Sequence, residues 1–207
     1  MITVDLHDPQ FQGFFSVPMD NLSASPLIIR FLKEHIPEFR AATIVSPDAG
    51  GAKRATEFAN LIGVGFALIH RNQPRWECSV APSSPPAEAD ASGATLVGNV
   101  QDRDAIIIDD MADTCATLTE AAAVLKRQGA RHIYAVITHG IFSDNSLPLI
   151  EASEITAVIV SNTIPQAAHL AACQKFRVVD ISPILAEAIR RAHNGESISY
   201  LFSPQAF

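Results

Sequence analysis

A mainly parallel α/β sheet with helices on both faces is the fold this sequence predicts, and three observations predict it. Short apolar runs alternate with segments whose apolar residues recur at helical spacing, which is the pattern of strand–helix–strand units. Three successive isoleucines, Ile106, Ile107 and Ile108, run into polar residues, as expected of a strand buried on both faces that ends at a ligand site. Over 207 residues the chain is 48% hydrophobic and 18% charged, enough apolar material for one packed domain.

Ile2 to Leu6 read as a strand already in progress, with no turn or cap before it, so an upstream segment or a neighbouring subunit is expected to cover that edge. Ser25-Pro26 then provides a cap and a first-turn proline for a helix carrying Leu27, Ile28, Phe31, Leu32 and Ile36. A strand over 42–46 leads into Pro47-Asp48-Ala49-Gly50-Gly51-Ala52-Lys53-Arg54. The next helix buries Ala55, Phe58, Ala59 and Ile62 and stops at Gly63 in a left-handed conformation. Strands follow at 66–69 and 106–110, and a helix with Leu118, Ala121, Ala122 and Leu125 ends at Gln128-Gly129. Strands at 134–138, 157–161 and 178–181, a helix with Ile184, Leu185, Ala188 and Ile189, and a closing strand at 197–202 complete the reading. The chain is expected to be a single domain over 1–207. A flexible insertion at about 79–95 is expected, because Ala81 to Gly93 is too rich in proline, serine and alanine to pack.

A net charge of −7 gives no support for sequence-independent nucleic-acid binding, and no apolar run is long enough to span a membrane. Cys78, Cys115 and Cys173 are odd in number and widely spaced, so neither a disulfide framework nor a structural zinc site is indicated, and a cytoplasmic location is expected.

The chemistry concentrates where the isoleucine run ends. Asp113, Thr114, Cys115, Ala116 and Thr117 form a turn opening a helix, where successive main-chain N–H groups and two hydroxyls suit a phosphate dianion. One step earlier, Asp109 and Asp110 are placed to accept hydrogen bonds from vicinal sugar hydroxyls or to hold Mg²⁺ through water. A simple N-capped helix would need one acid, not three. Cys115 could have a lowered thiol pKa in such a turn, and its role is taken as a backbone donor rather than a nucleophile.

The run of apolar residues, two acids and Asp-Thr-x-x-Thr resembles the phosphoribosyl-diphosphate motif of the type I phosphoribosyltransferase fold. Further runs, Asp5-Leu6-His7, Gln12-Gly13-Phe14-Phe15, Asp20-Asn21-Leu22, Ser46 to Arg54, Thr138 to Ser143, Ser161 to Pro165 and Glu187 to Ser197, resemble the ribose-phosphate pyrophosphokinase family, also called phosphoribosyl-pyrophosphate synthetases. The resemblance covers nearly the whole chain but only the C-terminal half of that family. It implies transfer of the β,γ-diphosphoryl group of MgATP to the C1 hydroxyl of ribose 5-phosphate, with Mg²⁺ as cofactor and an oligomer with family subunits as partner. It also implies that the Asp113–Thr117 turn holds the 5-phosphate and Asp109 and Asp110 the ribose hydroxyls. Asp48 would contact the ribose or its metal, Ala49, Gly50 and Gly51 would admit the diphosphate, and His7 would sit at the Mg-ATP site.

Several positions depart from the family. Its catalytic loop carries a lysine and, two residues on, an arginine, where this chain has Arg71 and Gln73; Arg75 stands two further along. Arginine's planar fork does not replace a lysine point charge, and Gln73 carries none. The insertion lengthens the same loop, as in associated-protein members of the family. Ala116 replaces a glycine of the phosphate turn, and Asn99 an acid. Three readings follow. The chain is a ribose-phosphate diphosphokinase that needs a missing half or complete partner subunits, with Arg71, Arg75 and Asp48 as catalytic candidates. Alternatively it is a non-catalytic regulatory or associated subunit that keeps the ribose 5-phosphate pocket, or a phosphoribosyltransferase consuming the product, against which the 138–143, 161–165 and 193–197 runs argue.

Overall fold

In the computed structural model, residues 1–71 and 93–203 are described. Two strands near the N-terminus, β1 (Ile2–Val4) and β2 (Asp20–Leu22), pair in parallel as a small separate sheet. The main sheet comprises β3 (Thr43–Ser46), β4 (Gly65–Arg71), β5 (Ala94–Val97), β6 (Ala105–Ala112), β7 (Ile133–Gly140), β8 (Ala157–Ser161) and β9 (Phe176–Val179), in the spatial order β5-β4-β3-β6-β7-β8-β9. All neighbours are parallel except β4 and β5, where Leu68 pairs with Val97 and Arg71 with Ala94 in antiparallel register.

Alternation along the strands sends side chains to two cores. Ile44, Ile106, Ile108, Val136 and Ile159 face one side, covered by α1 (Ser25–His35), α2 (Ala52–Ile62) and α6 (Ser182–Asn194). Val45, Ile107, Ala135, Ile137 and Val160 face the other, covered by α3 (Ala116–Arg127) and α4 (Ser146–Ala152), with α5 (Ala167–Ala172) against β9. Both faces of the central strands are therefore dry, as a parallel sheet requires.

Chain direction across the sheet reverses between β3 and β6, because β4 lies on one side of β3 and β6 on the other. Ligands in open α/β sheets bind at such a reversal, beyond the carboxyl ends of the strands. Asp48 follows β3 by two residues and Asp109 and Asp110 lie near the end of β6, so the fold brings the two acidic segments to one place.

Gly63 and Gly129 adopt the left-handed conformation that their places after α2 and α3 call for, with φ of 71° and 83°. The closing segment is a 3-10 turn, Ser199–Phe202, rather than a strand. Ser197 Oγ accepts from the Ser199 amide and Leu201 is buried against the α1 side of the core, a local bond and an anchor that extended backbone would not give. The last strand lies two residues earlier than its apolar pattern suggests, because Val158 pairs with Phe176 and Ile181 instead precedes α6. Residues 94 and 95, expected in the insertion, belong to β5, whose four residues run on from the alanine-rich segment without a break in composition. The rest of that expected insertion through position 92 lies outside the described residues, as do Gln73, Arg75 and Cys78.

Candidate functional site

The loop after β3 is shaped by its own side chains. Ser46 Oγ donates to the Asp48 carbonyl at 2.7 Å, and the Gly51 amide donates to Asp48 Oδ1 at 2.9 Å, so Asp48 both turns the chain and caps the entry to α2. A Cβ on Gly51 would sit 3.0 Å from Ser46 Oγ, and one on Gly50 would sit 3.2 Å from Asp48 Oδ1. Both spacings are tight, so a side chain at either position would push Ser46 or Asp48 aside by a few tenths of an ångström. Ala49 and Gly50 are exposed, leaving the loop backbone open at the end of the sheet.

Across the reversal point, β6 presents its two acids differently. Asp110 is buried, its side chain 2% exposed. Arg54 Nη1 donates to its Oδ1 at 2.5 Å and His7 Nδ1 lies 2.8 Å from its Oδ2. Asp109 is 30% exposed, accepts the Asp110 amide at 2.9 Å, and stands 3.8 Å from Arg54 Nη1. Burial, aided by hydrogen bonding and repulsion from Asp110 and by the charge of Asp48, pushes the Asp109 carboxyl up to about 7. Burial works against ionisation of Asp110 as well, but hydrogen bonds from Asp109, Arg54 and His7 and the guanidinium charge outweigh it and hold that carboxyl below the usual range.

The turn that opens α3 follows. Asp113, Thr114, Ala116 and Thr117 are exposed while Cys115 is buried. The left-handed residue of the turn is Cys115, with φ 63°, and Ala116 is the first helical residue of α3. Alanine in place of the family's glycine therefore costs no left-handed strain at 116. Because the first amides of a helix lack intrahelical acceptors, the exposed start of α3 offers N–H groups and positive dipole to an anion. Burial and the nearby Asp113 charge push the Cys115 thiol up to about 12, opposite to the lowering expected from the helix end. The turn is braced from outside by Ser143, whose amide donates to Asp113 Oδ1 at 3.3 Å and whose hydroxyl donates to the same oxygen.

His7 belongs to the N-terminal segment, which is sewn to the end of the sheet. Asp5 Oδ2 accepts from Thr138 Oγ1 at 2.8 Å and from the Ala24 amide at 3.1 Å, and His139 Nε2 lies 3.0 Å from the Val4 carbonyl. Between this segment, α1, α2 and the sheet end lies a cavity of about 560 Å³ lined by His7, Gly50, Lys53, Arg54, Glu57 and Asp109, among others. Arg54 lies within the 46–54 motif and Ser143 within the 138–143 run, but nothing in either run points to the partner each takes. The pairing of Arg54 with an acid 56 positions away, and of Ser143 with one 30 away, carries no local signal.

Among the described residues no cluster of three His, Cys, Asp or Glu side chains is placed to hold a metal. The donor set fits Mg²⁺ in a thinner form, since that ion takes one or two carboxylates and completes its octahedron with water and substrate phosphates. Asp48 and Asp109 supply two acids close enough to interact, and oxygen is the ligand Mg²⁺ prefers over imidazole. Arg71 ends β4, at the edge of the described residues. Arginines 190 and 191 do not face a ligand: they pair with Glu187 and Glu196 within the chain. Arg131 likewise pairs within the chain, with the buried Asp104 and with Glu38.

Residues 91–203, more than half of the chain, match the family described as the phosphoribosyl synthetase-associated domain. The crystal structure of phosphoribosylpyrophosphate synthetase from Mycobacterium smegmatis superposes with a TM-score of 0.80 at 30% identity, covering 94% of this chain and 58% of that one. An adenine phosphoribosyltransferase matches with a TM-score of 0.46 at 17% identity over 66% of this chain and 76% of its own. The corresponding enzyme from Giardia lamblia gives 0.41 at 13% over 76% and 77%.

Proposed function

The chain belongs to the phosphoribosyl-pyrophosphate synthetase family, and from that premise we propose that it binds ribose 5-phosphate and serves diphosphate transfer from MgATP to the sugar's C1 hydroxyl. One observation carries the reading: a partly exposed acid, Asp109, and an exposed helix-opening turn, Asp113 to Thr117, stand in sequence at the sheet's reversal point. The turn's amides, with Thr114 and Thr117, bind the 5-phosphate. Asp109, ionised, accepts hydrogen bonds from ribose hydroxyls, and the pair fixes both ends of the sugar. Ala49, Gly50 and Gly51 let a diphosphate approach the start of α2, whose dipole favours negative charge. Asp48 and Asp109 are the residues that would hold Mg²⁺, with His7 nearby; the ion would neutralise charge on the transferring group. Transfer of this kind asks the protein chiefly for positioning and charge.

The chain spans 58% of the length of the solved synthetase it matches, so activity is proposed for an assembly with complete family subunits rather than for this chain alone. Gln73, a neutral residue where the family carries a transition-state cation, favours a second reading in which the chain is an associated, regulatory subunit that retains the sugar-phosphate pocket. Loss of one such charge can cost about two to three orders of magnitude in rate. Calorimetry with ribose 5-phosphate tests the shared part of both readings, and no binding would remove both. Formation of AMP from ATP and ribose 5-phosphate, by the chain alone and mixed with a full-length synthetase, separates them: turnover that depends on this chain's own Asp109 supports the enzyme, and binding without it supports the associated subunit. A cytoplasmic setting is part of the same proposal; among the described residues no helix is long and apolar enough to cross a membrane.

A further inference from the structure

Three aspartates that precede helical segments in this chain accept amides at the entrance of the helix that follows them. Asp48 Oδ1 accepts the Gly51 amide at 2.9 Å ahead of α2, Asp180 Oδ1 accepts the Ser182 amide at 2.9 Å ahead of α6, and Asp8 Oδ1 accepts the Gln10 amide at 2.8 Å in the 3-10 turn Pro9–Phe14. A bond to an amide two or three residues on is the local choice open to this side chain. Asp113 stands in the comparable place ahead of α3 and does otherwise. Its Oδ1 accepts from the Ser143 amide at 3.3 Å and from the Ser143 hydroxyl, 30 positions away. Cys115, at the cap position itself, gives α3 no side-chain bond either. We propose that Ser143 is a positioning residue for the sugar phosphate: it draws the Asp113 carboxylate off the amides of Cys115 and Ala116 and so keeps them open to a phosphate oxygen.

A phosphate and a carboxylate compete for the same donors, because both are anionic acceptors and the first amides of a helix have no acceptor within it. A carboxylate folded onto those amides would also set its charge against the incoming dianion, at the point where the helix dipole should favour it. Ser143 is itself held in place by its own corner of the fold. Its carbonyl accepts the Ser146 amide at 3.1 Å, and Phe142 before it is buried with φ 52°. The hydroxyl is thus placed by the segment between β7 and α4, not by the turn it serves. Serine offers two donors to one oxygen, and alanine would keep only the longer amide bond. The inference deepens the reading above, on which the identity of the ligand rests; the place of the carboxylate does not rest on it.

A crystal structure of the ligand-free Ser143→Ala chain reads the carboxylate directly. It is expected on the amide of Cys115 or Ala116, and a carboxylate that stays beside residue 143 would overturn the proposal. So would a crystal structure of the natural chain with the carboxylate already on those amides, which needs no variant. By calorimetry, Ser143→Ala is expected to lose about tenfold in ribose 5-phosphate affinity, the order of a helix cap that must be displaced, while Ser143→Thr, which keeps the hydroxyl, loses about twofold or less. Removing the competitor as well, in Ser143→Ala with Asp113→Ala, is expected to recover most of the lost affinity. A serine that only stabilised the fold would leave the double variant as weak as the single one or weaker, and that result would overturn the proposal too. Absence of ribose 5-phosphate binding by the natural chain would count against the proposed function alone, because the place of the carboxylate is read without ligand.

Discussion

At the residue scale, Asp109 couples stability to pH in a direction opposite to an ordinary salt-bridged acid. Its carboxyl stands at about 7 in the folded chain against 3.8 for an unperturbed aspartate. The folded form thus favours the protonated acid, a contribution fully present below pH 4 and lost as pH rises through 7. Asp109→Asn, which mimics the neutral acid, is expected to match the natural chain near pH 4 and to exceed it at pH 8 by about 2 kcal/mol, once solvent access is allowed for. Thermal unfolding at the two pH values measures this, and equal differences at both would contradict it. Cys115 gives a second residue-scale expectation. With its thiol held near 12, about one part in ten thousand is thiolate at pH 8. Peptide-level mass spectrometry after brief iodoacetamide treatment should find Cys115 unmodified in the native chain and modified after unfolding; rapid native labelling would mean that the turn opens.

At the element scale, the end of β7 and the segment after it are as tightly specified as the 113–117 turn that they brace. A Cβ on Gly140 would lie 2.2 Å from Phe142 and 2.7 Å from Val160, while Phe142 itself has φ 52° and meets Phe176 edge-on at 4.9 Å. Glycine is there because the buried ring needs its space. Gly140→Ala is expected to cost about 2–3 kcal/mol, read as a lowered denaturation midpoint, and to weaken phosphate binding because Ser143 sits three residues on and holds Asp113. Full stability in that variant would show that the ring can move aside. Most elements were legible in the sequence, since periodicity and turn residues are local: the stops of α2 and α3 at Gly63 and Gly129 were written in the chain. The closing turn was not, because Ser197 to Phe202 alternates as a strand would and only the buried place of Leu201 decides against it.

At the scale of the whole molecule, the N-terminal segment contributes to the site without belonging to the main sheet. Asp5 joins Thr138 on β7 to the amide of Ala24 before α1, across sequence separations of 133 and 19. Removing this carboxylate in Asp5→Ala is expected to cost about 2 kcal/mol through a donor left unpaired, and to raise hydrogen exchange in residues 1–24 more than in the strands of the main sheet. Uniform change across the chain would mean that the segment is not a separate unit. His7 should lose its contact with Asp110 in the same variant, so its imidazole signals offer a second readout.

By itself the sequence determined the alternation of strands and helices, the turn from Asp113 to Thr117 that opens a helix, and the nearness of acids to it, because each is set by neighbours within a few residues. The family was legible for the same reason: its motifs are contiguous runs. Tertiary structure alone decided which of the two adjacent acids is covered and which stays partly open. Successive side chains on a strand point to opposite faces, and what waits on each face is fixed by segments far away in the chain. For Asp110 these are Arg54 and His7, at separations of 56 and 103, whereas Asp109 is left partly open to the cavity.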